Sequence, residues 1–71
     1  MAAEVIEIVA NGERRQVAAL CTVAELVAGF GLRPTQVVVE LNGEVVVRDR
    51  CRDIRLNEGD RVEIVVPVAG G

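Results

Sequence analysis

Arg61-Val62-Glu63-Ile64-Val65-Val66-Pro67-Val68-Ala69-Gly70-Gly71 is the stretch that decides the fold of this chain. Val62, Ile64 and Val66 alternate with Arg61, Glu63 and Val65, the period of two that marks a strand with one face buried. Pro67 has no N–H to give to a ladder and ends the strand. Beyond it stand Val68, Ala69, Gly70 and Gly71, then a carboxylate. A core strand that runs out into a slender, flexible tail, residues 67–71, marks the tail as the working part. Gly70 and Gly71 carry no Cβ, so their backbone can enter a narrow channel, and the terminal acyl carbon is open to a nucleophile. The competing reading is that chain ends fray and tolerate small residues.

The 71 residues make a single domain. A domain of this size buries only about 60% of its unfolded surface, so its core has to be efficient. Val, Ala, Leu and Ile dominate the apolar share, and Phe30 is the sole aromatic. That leaves no platform for stacking bases, and the net charge of −3 repels a phosphate backbone, so nucleic acid is not an expected partner. All eight basic residues are Arg, scattered among acids. The absence of His removes His-based triads and His general bases. Cys21 and Cys51 cannot complete a four-ligand zinc site and form no CxxC pair, so no metal is expected. A disulfide between them is open on sequence grounds, where its geometry cannot be judged. No apolar run is long enough to span a bilayer, and Met1-Ala2-Ala3-Glu4 lacks the basic start and apolar run of a signal peptide. The expectation is a cytoplasmic protein with reduced thiols and no membrane partner.

Working back toward the N-terminus, Asn57-Glu58-Gly59-Asp60 reads as the turn that feeds the last strand. Arg48-Asp49-Arg50-Cys51-Arg52-Asp53 has mixed charge and no periodicity, which predicts a solvated loop or a short helical turn. Gln36–Leu41 and Glu44–Val47 read as strands joined at Asn42-Gly43. Thr22-Val23-Ala24-Glu25 matches a capping box. Val23, Leu26, Val27 and Phe30 then form one apolar helical stripe, with Phe30 expected as its largest core contributor. Gly31 stops the helix and Pro34 prevents its resumption. Glu4–Ala10 and Glu13–Ala19 read as a hairpin about Asn11-Gly12.

The predicted order is β-β-α-β-β-β. One short helix cannot cover both faces of such a sheet, so the fold class is α+β with the helix on one face. On this alternation Val5, Val9, Val38 and Val65 lie on the uncovered face, which makes them the candidate partner-docking residues. The plainer reading is that single surface valines are ordinary in strands.

Taken in order, Asn11-Gly12-Glu13, Thr22-Val23-Ala24-Glu25-Leu26, Val39-Glu40-Leu41-Asn42-Gly43-Glu44-Val45-Val46, Glu58-Gly59-Asp60-Arg61-Val62-Glu63-Ile64-Val65 and Gly70-Gly71 resemble the ThiS family of sulfur-carrier proteins of thiamine biosynthesis. The resemblance runs over nearly the whole chain. It implies the ubiquitin-like β-grasp fold: one main helix on a mixed sheet of four to five strands, the last strand central and parallel to the first. It also implies a chemistry. An E1-like enzyme adenylates the Gly71 carboxylate with its own ATP, and a sulfur donor such as a cysteine desulfurase converts it to a thiocarboxylate. A thiazole synthase then takes the sulfur. The carrier binds no cofactor and is a cosubstrate rather than an enzyme. Pro67-Val68-Ala69-Gly70-Gly71 is also similar to the tail of the MoaD-like small subunit of molybdopterin synthase, while the short link from Phe30 to Gln36 favours the thiamine branch.

Two other classes stand beside the carrier. A ubiquitin-like modifier would join Gly71 to a lysine of another protein, and a plain β-grasp interaction module would have no use for Gly70 and Gly71. An enzyme in its own right lacks His, a GxSxG serine and a metal cluster. Cys21, just before the helix cap, reads as a small core residue. Cys51 reads as an exposed thiol whose pKa Arg50 and Arg52 lower, a weak basis for a sulfur-transfer role.

Overall fold

The computed structural model describes residues 4–68. Its first two strands, β1 (Val5–Ala10) and β2 (Glu13–Ala18), form the expected hairpin, with Ala10 opposite Glu13. Asn11 and Gly12 both take positive φ, 51° and 83°, as a tight two-residue connection demands. Helix α1 (Val23–Gly29) follows, then a 3-10 turn at Pro34–Gln36, then β3 (Val38–Leu41) and β4 (Glu44–Val46). A second 3-10 turn at Arg48–Arg50 leads toward β5 (Arg61–Val65).

The five strands lie in the order β2-β1-β5-β3-β4. β5 is central, parallel to β1 and antiparallel to β3, so the sheet is mixed as the resemblance implied. Alternation along β5 is clean over its length: Val62 and Ile64 are buried, while Arg61, Glu63 and Val65 are exposed. They join Ile8, Ala10 and Val39 from the neighbouring strands and Val23, Leu26 and Val27 from α1 in one core between sheet and helix. Ile8, Val23, Val27, Val39 and Val62 are almost fully withdrawn from water. Such β-branched side chains pack well on a pleated surface.

A seven-residue helix is not stable alone, and both of its ends are fastened. Thr22 Oγ1 accepts from the Glu25 amide at 3.1 Å, and Glu25 Oε1 accepts from the Thr22 amide at 2.8 Å. At the other end Gly31, with φ 78°, donates to the Ala28 carbonyl and Leu32 to that of Val27, the paired bonds of a Schellman stop.

Four expectations are corrected. Phe30 is 36% exposed and lies outside the core. The helix ends at Gly29, so Phe30 is already the C-cap residue and turns away from the apolar stripe, leaving its ring under the Arg15 guanidinium at 4.3 Å. Cys51 is 2% exposed rather than open to solvent. The first amides of α1 need acceptors: Ala24 donates to the Cys51 carbonyl and Val23 to that of Ile54, both at 2.9 Å. Pinned to the helix in this way, the charged stretch turns Cys51 inward and keeps its arginines outside. Leu56, almost fully buried, comes in with the same segment, held by its amide to the Cys21 carbonyl at 2.9 Å. Finally, β5 stops at Val65, and Val66 is exposed where the alternation had placed it on the core face. The β3 strand begins at Val38, because Pro34–Gln36 is spent on a 3-10 turn.

Candidate functional site

The site begins where β5 leaves the sheet. Val66, Pro67 and Val68 continue without regular structure, and Val68 is 91% exposed. Ala69, Gly70 and Gly71, the rest of the expected tail, lie outside the described residues.

The geometry upstream of this tail is tightly held. β1 offers β5 a ladder only at Val9–Arg61 and Ala10–Val62. Two bonds prolong it: the Asn11 amide donates to the Val62 carbonyl at 2.9 Å, and Asn11 Oδ1 accepts from the Ile64 amide at 2.7 Å. On the other side, Asn42 Oδ1 accepts from the Arg61 amide at 2.9 Å while its Nδ2 donates to Asp60 Oδ1 at 3.0 Å. Glu58 Oε1 accepts from the Glu7 amide at 3.1 Å, tying the approach turn to β1. The asparagines of both hairpin turns therefore also clasp the strand that carries the tail. Sequence reasoning saw them only as turn residues. The signal available was that Asn, unlike Gly, brings an acceptor to a positive-φ position.

Val5, Val9, Val38 and Val65 occupy the sheet face opposite the helix, as the alternation predicted. Val38 and Val65 stand directly across from each other, 43% and 54% exposed, beside the tail exit. Val5 is exposed near the start of β1, and Val9, paired with Arg14 and Arg61, is half-buried. The structure thus joins Val38 and Val65 into one patch and leaves Val5 at the far end of its strand. Next to that patch Glu40 and Glu63 also face each other across β3 and β5.

The surroundings of both thiols disfavour the thiolate form. Both cysteines are free. Burial pushes the Cys51 thiol pKa up, contrary to the lowering expected from Arg50 and Arg52. The Cys21 thiol is also raised, by burial first and then by the Glu25 carboxylate. Among the described residues no group of His, Cys, Asp and Glu side chains is placed to hold a metal ion.

Comparison with known proteins agrees with this geometry. The ThiS family model matches residues 2–71. A crystal structure of the thiamine biosynthesis protein ThiS from Geobacter metallireducens is similar at 32% identity and a TM-score of 0.79, covering 93% of this chain and all (100%) of that one. A solution structure of a thiamine biosynthesis protein from the same organism gives a TM-score of 0.75 at 32% identity, over 93% of this chain and 88% of that one. Two curated relatives are named thiazole synthase. The one from Paramagnetospirillum magneticum is 36% identical over 66 residues, and the one from Magnetococcus marinus 38% over 61. These matches take in 93% and 86% of this chain but only 20% and 19% of those relatives, so the chain spans about a fifth of their length. The chain belongs to the ThiS family.

Proposed function

We propose that this chain is a sulfur carrier that works through Gly71. Membership of the ThiS family and the likeness to thiamine biosynthesis proteins support the carrier role. The observation that carries the reading furthest is the central strand β5, clasped on both sides, running out into the exposed Val66-Pro67-Val68.

On this reading an E1-like enzyme supplies ATP, and a Gly71 carboxylate oxygen attacks the α-phosphorus, releasing pyrophosphate. A persulfide sulfur of the donor, such as a cysteine desulfurase, attacks the acyl carbon and AMP leaves. A second thiol cleaves the resulting acyl disulfide, and the Gly71 thiocarboxylate remains. Gly70 and Gly71 leave the carbon unhindered, and Pro67, Val68 and Ala69 thread the partner's channel. The carrier supplies reach and an acyl carbon, while its partners supply base, metal and nucleotide binding. The sulfur recipient is a thiazole synthase, supported by the two relatives of that name within which a stretch like this chain occurs. Val5, Val9, Val38 and Val65 form the face that docks on these partners.

Intact-protein mass spectrometry tests the proposal. Incubation with ATP, an E1-like enzyme and a persulfide donor should raise the mass by the exchange of one carboxyl oxygen for sulfur, and removal of Gly71 should abolish the gain. Covalent adducts to other proteins in place of that gain would assign the chain to the modifiers.

A further inference from the structure

A second charged feature lies on the helix side of the sheet. Arg33, Arg48 and Arg52 line one cleft of about 550 Å³ together with Ala24, Pro34 and Cys51. The fold gathers them there for a local reason. Arg33 immediately precedes the 3-10 turn at Pro34–Gln36. Arg48 opens the second 3-10 turn and Arg52 follows Cys51, whose carbonyl is fastened to the Ala24 amide. That bond fixes both arginines beside the start of the helix.

All three side chains are exposed. Among the described residues none of them is within ion-pair distance of a carboxylate; the pair present, Arg50–Asp53 at 4.0 Å, does not line the cleft. Asp49 is the lone acid in the lining. In a chain of net charge −3 this is a local reversal of sign.

Strand register places the cleft at the tail. Val65 lies opposite Val38 and Val46 opposite Val39, so β5 ends where β3 begins and β4 ends. The two 3-10 turns flank that same end of the sheet.

We propose that this cleft docks an acidic, partly apolar peptide segment of a partner that handles the tail. Guanidinium forks pair carboxylates at two points, and the apolar lining suits aliphatic side chains between the acids. A single phosphate is the poorer fit, because the same guanidinium forks can hold it but it leaves the apolar part of the lining, Ala24, Pro34 and Cys51, unused. The inference takes the partner's identity from the sulfur-carrier reading, but its test uses neither ATP nor an activating enzyme. Failure of the cleft therefore leaves the carrier chemistry standing, and the reverse holds too.

The test is an NMR titration of the isotope-labelled chain with a short, end-capped peptide of alternating Glu and Leu. Amides at Arg33, Thr35 and Arg48–Arg52 should shift, and added salt should weaken binding. The combined Arg33→Gln, Arg48→Gln and Arg52→Gln variant should bind about tenfold more weakly, and Arg14→Gln on β2 should bind within about twofold of the parent. Should the triple variant unfold, Arg52→Gln alone must lose about threefold. Unchanged affinity in the arginine variants, or shifts confined to β2, would overturn the proposal. So would inorganic phosphate that moves the same amides and shuts out the peptide at equal concentration, since that result assigns the cleft to a small anion.

Discussion

The thiol of Cys51 donates to the Val47 carbonyl at 3.7 Å in a site closed to water, and that burial has a measurable consequence at alkaline pH. The sequence has no His or Tyr, and all eight of its basic residues are Arg. From neutral pH to about 11, Cys21 and Cys51 are then the only side chains that titrate. Both have folded pKa values raised above the ordinary 9.0. Below the unfolded thiol pKa both states keep the proton and nothing is lost. As pH rises past it the unfolded chain ionises while the folded one does not, so stability falls. The urea midpoint should drop between about pH 8 and 10, and Cys51→Ala should lessen the drop while costing about 1 kcal/mol at neutral pH through the small cavity it leaves. An equal drop in the variant would place the alkaline sensitivity elsewhere. Phe30 makes the opposite case. A fully buried Phe costs about 3–5 kcal/mol on truncation. Half outside, with the Arg15 cation over its ring, Phe30→Ala should cost only about 1–2 kcal/mol in the same assay.

Element by element, β5 is held by side chains as much as by its ladder. Asn11→Gly keeps the positive φ of the turn but removes the acceptor of the Ile64 amide, which is partly buried. Leaving that donor unpaired should cost about 1–3 kcal/mol, and hydrogen exchange at Ile64 should speed up more than at Val39. Asn42→Gly, at the exposed clasp, should cost less. Thr22→Ala removes one arm of the capping box and should destabilise by about 1 kcal/mol, read from the urea midpoint. The turns, the capping box and the alternation of β5 were all legible in the sequence, because each is a local pattern whose chemistry acts within a few residues. Cys51 and Leu56 were not. Their burial is set by the bonds of Val23 and Ala24 to the carbonyls of Ile54 and Cys51, across an aperiodic stretch that carries no face of its own. Phe30 fitted the helical spacing but lay one residue past the last turn, and spacing alone does not say where a helix stops. Of the candidate site, the outer valines followed from alternation, whereas the Asn clasps needed the pairing of β5 with β1 and β3 before they could be seen.

At the scale of the whole molecule the two faces of the sheet differ in burial, and on the proposed sulfur-carrier reading they have separate tasks that substitutions can part. The helix-covered face holds the core, so changes there act through stability. The open face contributes little to folding: Val38 and Val65 stand opposite each other across the strands but remain exposed. Surface changes of this kind usually move stability by less than about 0.5 kcal/mol. Yet the pair sits where β5 leaves the sheet, the position a partner must cover if it takes the tail into a channel. Glu40 and Glu63, placed opposite each other beside it, bear like charges, an arrangement that costs a few tenths of a kcal/mol, roughly, and that a basic partner surface would relieve. Three variants separate the tasks. Val38→Glu and Val65→Glu should keep the urea midpoint near that of the parent and weaken binding to the activating enzyme about tenfold or more, because each buries a charge at the centre of the contact. Glu63→Gln should stabilise the free protein slightly and still bind less well, its partner charge having been lost. The experiment is a calorimetric titration of each variant against the E1-like enzyme, with unfolding curves run alongside. Affinity unchanged in both valine variants would move the docking face off this side of the sheet and leave the tail, with the arginine cleft beside it, as the contact.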